Sequence, residues 1–185
     1  MTIRLESPTT ITKTEFDRLF EEAHPKLSIE RQRMGGKEEL REALWAAHQN
    51  ETDKVGAYYK DDYLVGCRVA RDWYIGDEKF EWYIQPTYGT DQNGSRSWWY
   101  SEDTRKAMRD FCVDNGYAGA IAIHNPTSPA AEAVASHFAH SYDGRQYFQT
   151  AETRTISEVF PDIDMPLATD SMRVFVLRIT DSVSG

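Results

Sequence analysis

Lys54-Val55-Gly56-Ala57-Tyr58-Tyr59-Lys60-Asp61-Asp62-Tyr63-Leu64-Val65-Gly66-Cys67-Arg68-Val69-Ala70 is the stretch that decides the fold class. On both sides of Asp61-Asp62 the side chains alternate with a period of two and are rich in valine and tyrosine, the residues that suit a pleated surface. Two acidic residues between two such runs tolerate the tight backbone of a hairpin turn. Val55 to Lys60 and Tyr63 to Ala70 are therefore expected to form an antiparallel hairpin. Gly76-Asp77 reads as the next turn, and Lys79-Phe80-Glu81-Trp82-Tyr83-Ile84 as a third strand stopped by Pro86. Alternation sets Phe80 and Trp82 on one face of that strand and Glu81 and Tyr83 on the other.

Upstream, residues 2–6 form a short strand candidate ended by Pro8-Thr9-Thr10. Thr14 is expected to cap a helix with Phe16, Leu19, Phe20 and Ala23 on one face, interrupted by Pro25. After Gly35-Gly36 a second helix carries Leu40, Ala43, Leu44 and Ala47, and Glu38 and Glu39 at its start suit the helix dipole. Downstream, Ser101 is the expected N-cap of a helix with Ala107, Met108, Phe111 and Cys112 inward, ended by Asn115-Gly116, although Ser95 or Ser97 could open it earlier. Ala118 to Ile123 is short and continuously apolar, as a strand buried on both faces would be. Ser128 and Pro129 then start an alanine-rich helix to about residue 139. Arg145 to Thr150 and Met172 to Ile179 are strand candidates, with a long surface loop from Ser157 to Ser171 between them.

The resulting order is β, α, α, β, β, β, α, β, α, β, β. This is mixed α/β, a central, mostly antiparallel sheet of about seven strands flanked by about four helices, with one βαβ step in the second half. No linker or repeat divides the 185 residues, so 1–185 is expected to be one domain. The 21 basic and 30 acidic residues give a formal charge of −9, which opposes direct nucleic-acid binding and favours a cationic partner. That charge is uneven. Glu51 to Asp91 holds nine acids against five bases, net −4, whereas Arg96 to Asp110 holds four bases against three acids, net +1. Apolar stretches fall far short of the ~20 residues that span a bilayer, and no secretory signal is visible, so a cytoplasmic chain is expected. Cys67 and Cys112 sit among apolar neighbours and read as free thiols. No metal-ligand spacing, Walker loop or G-x-S-x-G elbow is present.

The order of elements resembles the GNAT superfamily of acyl-CoA-dependent N-acyltransferases. Lys60 to Gly66 looks like that family's hairpin between its second and third strands. Ile84-Gln85-Pro86-Thr87-Tyr88-Gly89 is similar to the end of its fourth strand, and Ile123-His124-Asn125 to its second cofactor-facing segment. The resemblance implies acetyl-CoA or a related thioester as co-substrate, an amine acceptor, direct transfer in a ternary complex, and leaves a homodimer open. It places cofactor contacts at Ile84, Gln85, Tyr88, Gly89, Gly94, Ser95, Arg96, Ser97, Asn125 and Ser128. The family's Arg/Gln-x-x-Gly-x-Gly/Ala loop opens directly into a helix whose free N–H groups hold a pyrophosphate. Here Gly89 to Ser97 is longer, lacks the paired glycines and contains Asp91, so it reads either as a phosphate cradle or as a plain surface loop.

For catalysis the resemblance points to two residues. Glu81, on a strand that supplies a general base in some members, is either that base or an exposed charge. His137 falls where a proton-donating tyrosine is usual when Tyr142 is aligned with the family's phenylalanine; a shift of one puts Phe138 there, which can donate nothing, and the plain alternative is that His137 and His140 only complement a helix end. Asn125 and Ser128 are equally turn and cap residues. Trp98-Trp99-Tyr100 is either core or a platform for a ligand ring, and Trp45, Trp73 and Trp82 read as packing residues. The rival reading is a GNAT-like acidic binding module without cofactor chemistry. Gly94 to Glu102 resembles, weakly, GNAT-like proteins of tailed bacteriophages.

Overall fold

The computed structural model describes residues 2–26, 36–124, 136–163 and 172–181. The strands are β1 (Ile3–Glu6), β2 (Lys54–Lys60), β3 (Tyr63–Ile75), β4 (Glu78–Tyr88), β5 (Gly119–His124), β6 (Phe148–Thr155) and β7 (Arg173–Ile179). The helices among the described residues are α1 (Lys13–Ala23), α2 (Lys37–Ala47), α3 (Glu102–Asp114) and the single turn α4 (Ile156–Val159). The strand order is β1-β2-β3-β4-β5-β7-β6, and β1/β2, β2/β3, β5/β7 and β6/β7 pair antiparallel. The fold is the expected mixed α/β arrangement with a mostly antiparallel sheet. The chain packs as two compact units, residues 1–71 with 83–107, and 72–82 with 108–185.

In the first unit the hairpin forms as the sequence predicts. Asp61 and Asp62 adopt φ of 48° and 67°, the left-handed pair a two-residue turn needs. The Thr2 N–H, just before β1, donates to the Asp61 carboxylate at 2.9 Å and braces the turn. Phe16, Leu19 and Phe20 of α1 and Leu40 and Leu44 of α2 pack with Ala57, Leu64 and Cys67 of the hairpin. Each buried leucine or phenylalanine among them contributes about 1.5–3 kcal/mol by leaving water. His48 closes this core: its Nδ1 lies 2.9 Å from the Leu44 carbonyl and its Nε2 3.5 Å from the Cys67 sulfur. Burial lowers the His48 pKa and pushes the Cys67 thiol up to about 12. Arg68 is fully buried, donates to the Tyr58 hydroxyl at 2.9 Å and lies 4.7 Å over the Tyr83 ring. Gly56 makes room for it, since a Cβ there would stand 3.2 Å from the guanidinium.

In the second unit β5, β7 and β6 bury Ala120, Ile121, Val174, Val176, Leu177 and Phe148. Gly119 is required by close approach, because a Cβ would fall 1.8 Å from the Leu177 carbonyl oxygen. Asn115-Gly116 ends α3 as predicted: Gly116 takes φ 70° and the Tyr117 N–H returns to the Cys112 carbonyl at 2.8 Å, a Schellman closure.

Several expectations are corrected. The cap of α1 is Thr12, not Thr14: its hydroxyl accepts from the Glu15 N–H at 3.1 Å and the Glu15 carboxylate accepts from the Thr12 N–H at 2.7 Å. On α2, Ala43 is exposed, and Trp45 packs on Phe16 at 5.4 Å. β3 continues five residues past Ala70, and β4 runs through Pro86 to Tyr88. Proline has no N–H to donate and a φ fixed by its ring, so a strand can carry it only where no ladder bond is required of that residue. β6 begins at Phe148 rather than Arg145 and extends to Thr155. The predicted loop from Ser157 opens instead on α4, capped by Thr155, with Val159 and Phe160 buried. The Trp73 indole donates to the Val159 carbonyl at 2.9 Å, and its ring meets Trp82 at 5.5 Å and Phe160 at 5.0 Å. The alanine-rich helix expected after Ser128 lies outside the described residues except for 136–139.

Candidate functional site

In the first unit, β4 delivers the chain to the loop from Gly89 to Ser97. The Gly89 N–H donates to the Val65 carbonyl at 2.8 Å, and the Trp98 indole donates to the Gly89 carbonyl at 3.1 Å. A Cβ on Gly89 would sit 2.3 Å from a Glu22 carboxylate oxygen, so only glycine lets the strand end press onto α1. That same oxygen accepts the Thr90 N–H at 2.8 Å, while the other accepts from Arg18 at 3.0 Å.

Asp91 organises the rest of the loop. It is 5% exposed, and one carboxylate oxygen accepts the N–H groups of Asn93 and Ser95, each at 2.9 Å. The other accepts from Lys60 Nζ at 2.6 Å. The backbone closes on itself as well: the Asp91 N–H reaches the Ser95 carbonyl at 2.8 Å, and the Gly94 N–H, at φ 75°, the Asp91 carbonyl at 2.9 Å. Lys60 first, then the Ser95 N–H, holds the Asp91 pKa below the usual carboxylate value. The Ser97 N–H donates to Ser95 Oγ at 3.1 Å. Arg96 is committed to backbone, donating to the carbonyls of Tyr88, at 2.9 Å, and of Glu22.

Beyond the loop, Ser97–Tyr100 form a 3-10 turn before α3. Ser101 is its N-cap as predicted, accepting the Thr104 N–H at 3.3 Å and donating to the Trp98 carbonyl at 2.7 Å. Glu102 and Asp103 put negative charge on the first turn, which favours the helix and opposes an added anion. Trp98 is fully buried. Trp99 stacks on Tyr88 at 4.0 Å, and Tyr58 meets the Trp98 and Trp99 rings at 5.7 and 6.1 Å. The aromatic cluster is thus largely core, with Tyr100 exposed.

The N–H groups of Gly89, Gly94, Ser95 and Ser97 therefore all have acceptors within the chain. The loop as folded does not fit a pyrophosphate: the N–H groups of Asn93, Gly94 and Ser95 converge, but on Asp91, and those of Gly89 and Ser97 are bonded elsewhere. Ile84 is half-buried on β4, and the side chain of Gln85 lies outside the described set. Asn125 and Ser128 lie outside the described residues.

In the second unit, Glu81 is 3% exposed, between Phe80 and Trp82, both buried. The exposed-charge alternative for it is thereby removed. His137 is half-buried on the helical residues 136–138, with its ring 6.2 Å from Phe138. Phe138 is the core residue of that turn, edge-on to Phe148 at 5.8 Å. Reading by residue type missed Lys60, Glu22 and the organising role of Asp91. The Asp-x-Asn-Gly run at 91–94 was the available signal, since aspartate readily accepts the N–H two residues on.

Elsewhere in the first unit a cleft of about 270 Å³ is lined in part by Thr9, His48, Asp53 and Val55, with Asp53 held by Arg71 at 2.8 Å. Among the described residues no cluster of three or more metal-binding side chains occurs, and no helix is long and apolar enough to cross a membrane.

Among solved structures the chain is similar to a GNAT-family acetyltransferase from Streptococcus agalactiae, at TM-score 0.56 and 12% identity, covering 96% of each chain. It is similar to an acetyltransferase from Salmonella typhimurium that modifies the N-terminal serine of ribosomal protein L7/L12, at TM-score 0.54 and 12% identity, covering 98% of this chain and 96% of that one. A GNAT-family acetyltransferase from Elizabethkingia anophelis with acetyl-CoA bound matches at TM-score 0.51 and 12% identity, covering 97% and 99%. No protein-family model and no curated protein sequence matches the chain. The fold is that of the GNAT acetyltransferases.

Proposed function

We propose that this chain is an N-acyltransferase that moves an acyl group, acetyl in the simplest case, from a coenzyme A thioester to an amine. The observation that carries the reading is Glu81, a carboxylate 3% exposed on β4, the strand that leads into the loop. The GNAT fold and the formal charge of −9 support it, since a negative field draws an ammonium and a buried carboxylate can take its proton. Glu81 is the general base of this reading and His137 its proton donor. The thioester would supply an activated acyl carbon; Gly89 to Ser97, closed on Asp91, offers its pyrophosphate no cradle as folded.

The test is release of CoA thiol from acetyl-CoA in the presence of polyamines and short peptides with free N-termini, for the wild type and Glu81→Gln. Folding of both is checked by circular dichroism. Loss of a positioned base lowers the rate by about 10² to 10⁴-fold. Equal rates in the two proteins overturn the proposal.

A second reading is favoured by one observation, the self-closed loop: a GNAT-fold binding module that recognises a basic protein through its negative surface. A salt-sensitive complex that forms equally with and without a thioester would select it.

A further inference from the structure

One cause of the mismatch between the loop and a pyrophosphate is the Asp91 carboxylate. Remove the Asp91 carboxylate, and two backbone N–H groups and one ammonium are left facing the space it filled, at 2.9, 2.9 and 2.6 Å from the vacated oxygens. Backbone N–H groups with a lysine are the donor set that holds phosphates in glycine-rich loops. Asp91 supplies the negative charge from within the chain.

We propose that Asp91 is a built-in competitor of the anion: its carboxylate latches the loop shut through Asn93, Ser95 and Lys60, and a phosphate-bearing ligand binds there only when the latch is released. The inference rests on the acyltransferase reading for the identity of the ligand, a CoA thioester, but not for the latch itself. Protonation does not release the latch near neutral pH, because Lys60 and the Ser95 N–H stabilise the ionised form. Release requires the loop to move, and the loop has somewhere to pivot: Gly94 holds a positive φ with nothing within 4 Å of its missing Cβ.

The experiment is calorimetric titration of the full chain with inorganic pyrophosphate and, separately, with CoA. Wild type is compared with Asp91→Asn, Asp91→Ala and Asp91→Ala/Lys60→Met. Asparagine keeps an oxygen for the two N–H groups and removes the charge, so it preserves the loop should the alanine variant fold poorly. Pyrophosphate is expected to bind about ten-fold tighter to Asp91→Asn than to wild type, roughly what one charge-assisted hydrogen bond is worth, and tighter still to Asp91→Ala. Lys60→Met should reverse the gain. If wild type and both single variants bind pyrophosphate equally, or none binds it, the latch is refuted. If pyrophosphate affinity rises while CoA binds none of the four proteins, the latch stands and the acyltransferase reading falls.

Discussion

Adding one methyl group at residue 89 tests how tightly the strand end is set on α1. In Gly89→Ala the new carbon would stand 2.3 Å from Glu22 Oε2, 2.7 Å from Leu19 Cδ2 and 3.2 Å from the Val65 carbonyl oxygen. Leu19 is fully buried and the Val65 carbonyl is backbone, so Glu22 is the group that must swing away. Its displacement removes the acceptor of the Thr90 N–H, 2.8 Å away, and the partner of Arg18, 3.0 Å away. Forcing a methyl into a filled site costs about 1–3 kcal/mol. An orphaned backbone N–H costs about as much, at its lower end here because Thr90 is half-buried. The sum is about 2–4 kcal/mol, which for a chain of this size lowers the melting temperature by about 5–15 °C. Urea unfolding measures the loss. The double substitution Gly89→Ala/Glu22→Ala should cost less than the sum of its parts, by about 1 kcal/mol or more, because the clash and the displaced acceptor are the same atom. A loss below about 0.5 kcal/mol for Gly89→Ala, or strict additivity of the pair, would refute the packing described.

Two further outcomes follow from the core of the first unit. Cys67, with its thiol pushed up to about 12, is about one part in 10⁴ thiolate at pH 8, so it should react with a disulfide reagent only after unfolding. Reaction in native buffer at the rate seen in urea would contradict this. His48 has a folded-state pKa below its ordinary 6.5, lowered by burial, so folding favours the neutral ring. The associated stability is fully present above about pH 6.5 and declines as the pH falls toward the lowered folded value. The urea midpoint should drop between pH 7.5 and pH 5 in the wild type and drop less in His48→Gln; identical drops would exclude His48 as the source.

Much of the architecture was legible because its signals are local. Asp61-Asp62 and Asn115-Gly116 carry their backbone conformations in their own residue types, and the period-two run from Lys54 to Ala70 needs no partner to be read. The α1 cap was also written locally, as Thr12-x-x-Glu15, and choosing Thr14 overlooked the reciprocal glutamate. Other features depend on distant partners. Trp73 and Phe160 are 87 positions apart, so nothing near 160 announces that α4 is drawn inward. The burial of Glu81 and the ion pair of Asp91 with Lys60 likewise depend on which strands lie beside which. The resemblance pointed to Gly89 to Ser97 as the family's loop. It could not say what the loop's N–H groups bind, because that answer sits in one carboxylate the family pattern does not contain.

The niche around Arg68 bears on how this sequence can diverge. With a guanidinium fully buried between Tyr58 and Tyr83, and Gly56 yielding the volume it fills, four positions form one packing unit. A side chain at 56 would stand 3.2 Å from the Arg68 guanidinium, which must then give by a few tenths of an ångström, and loss of the arginine would free position 56. Substitutions at 56, 58, 68 and 83 are therefore expected to be coupled rather than additive in their effect on stability.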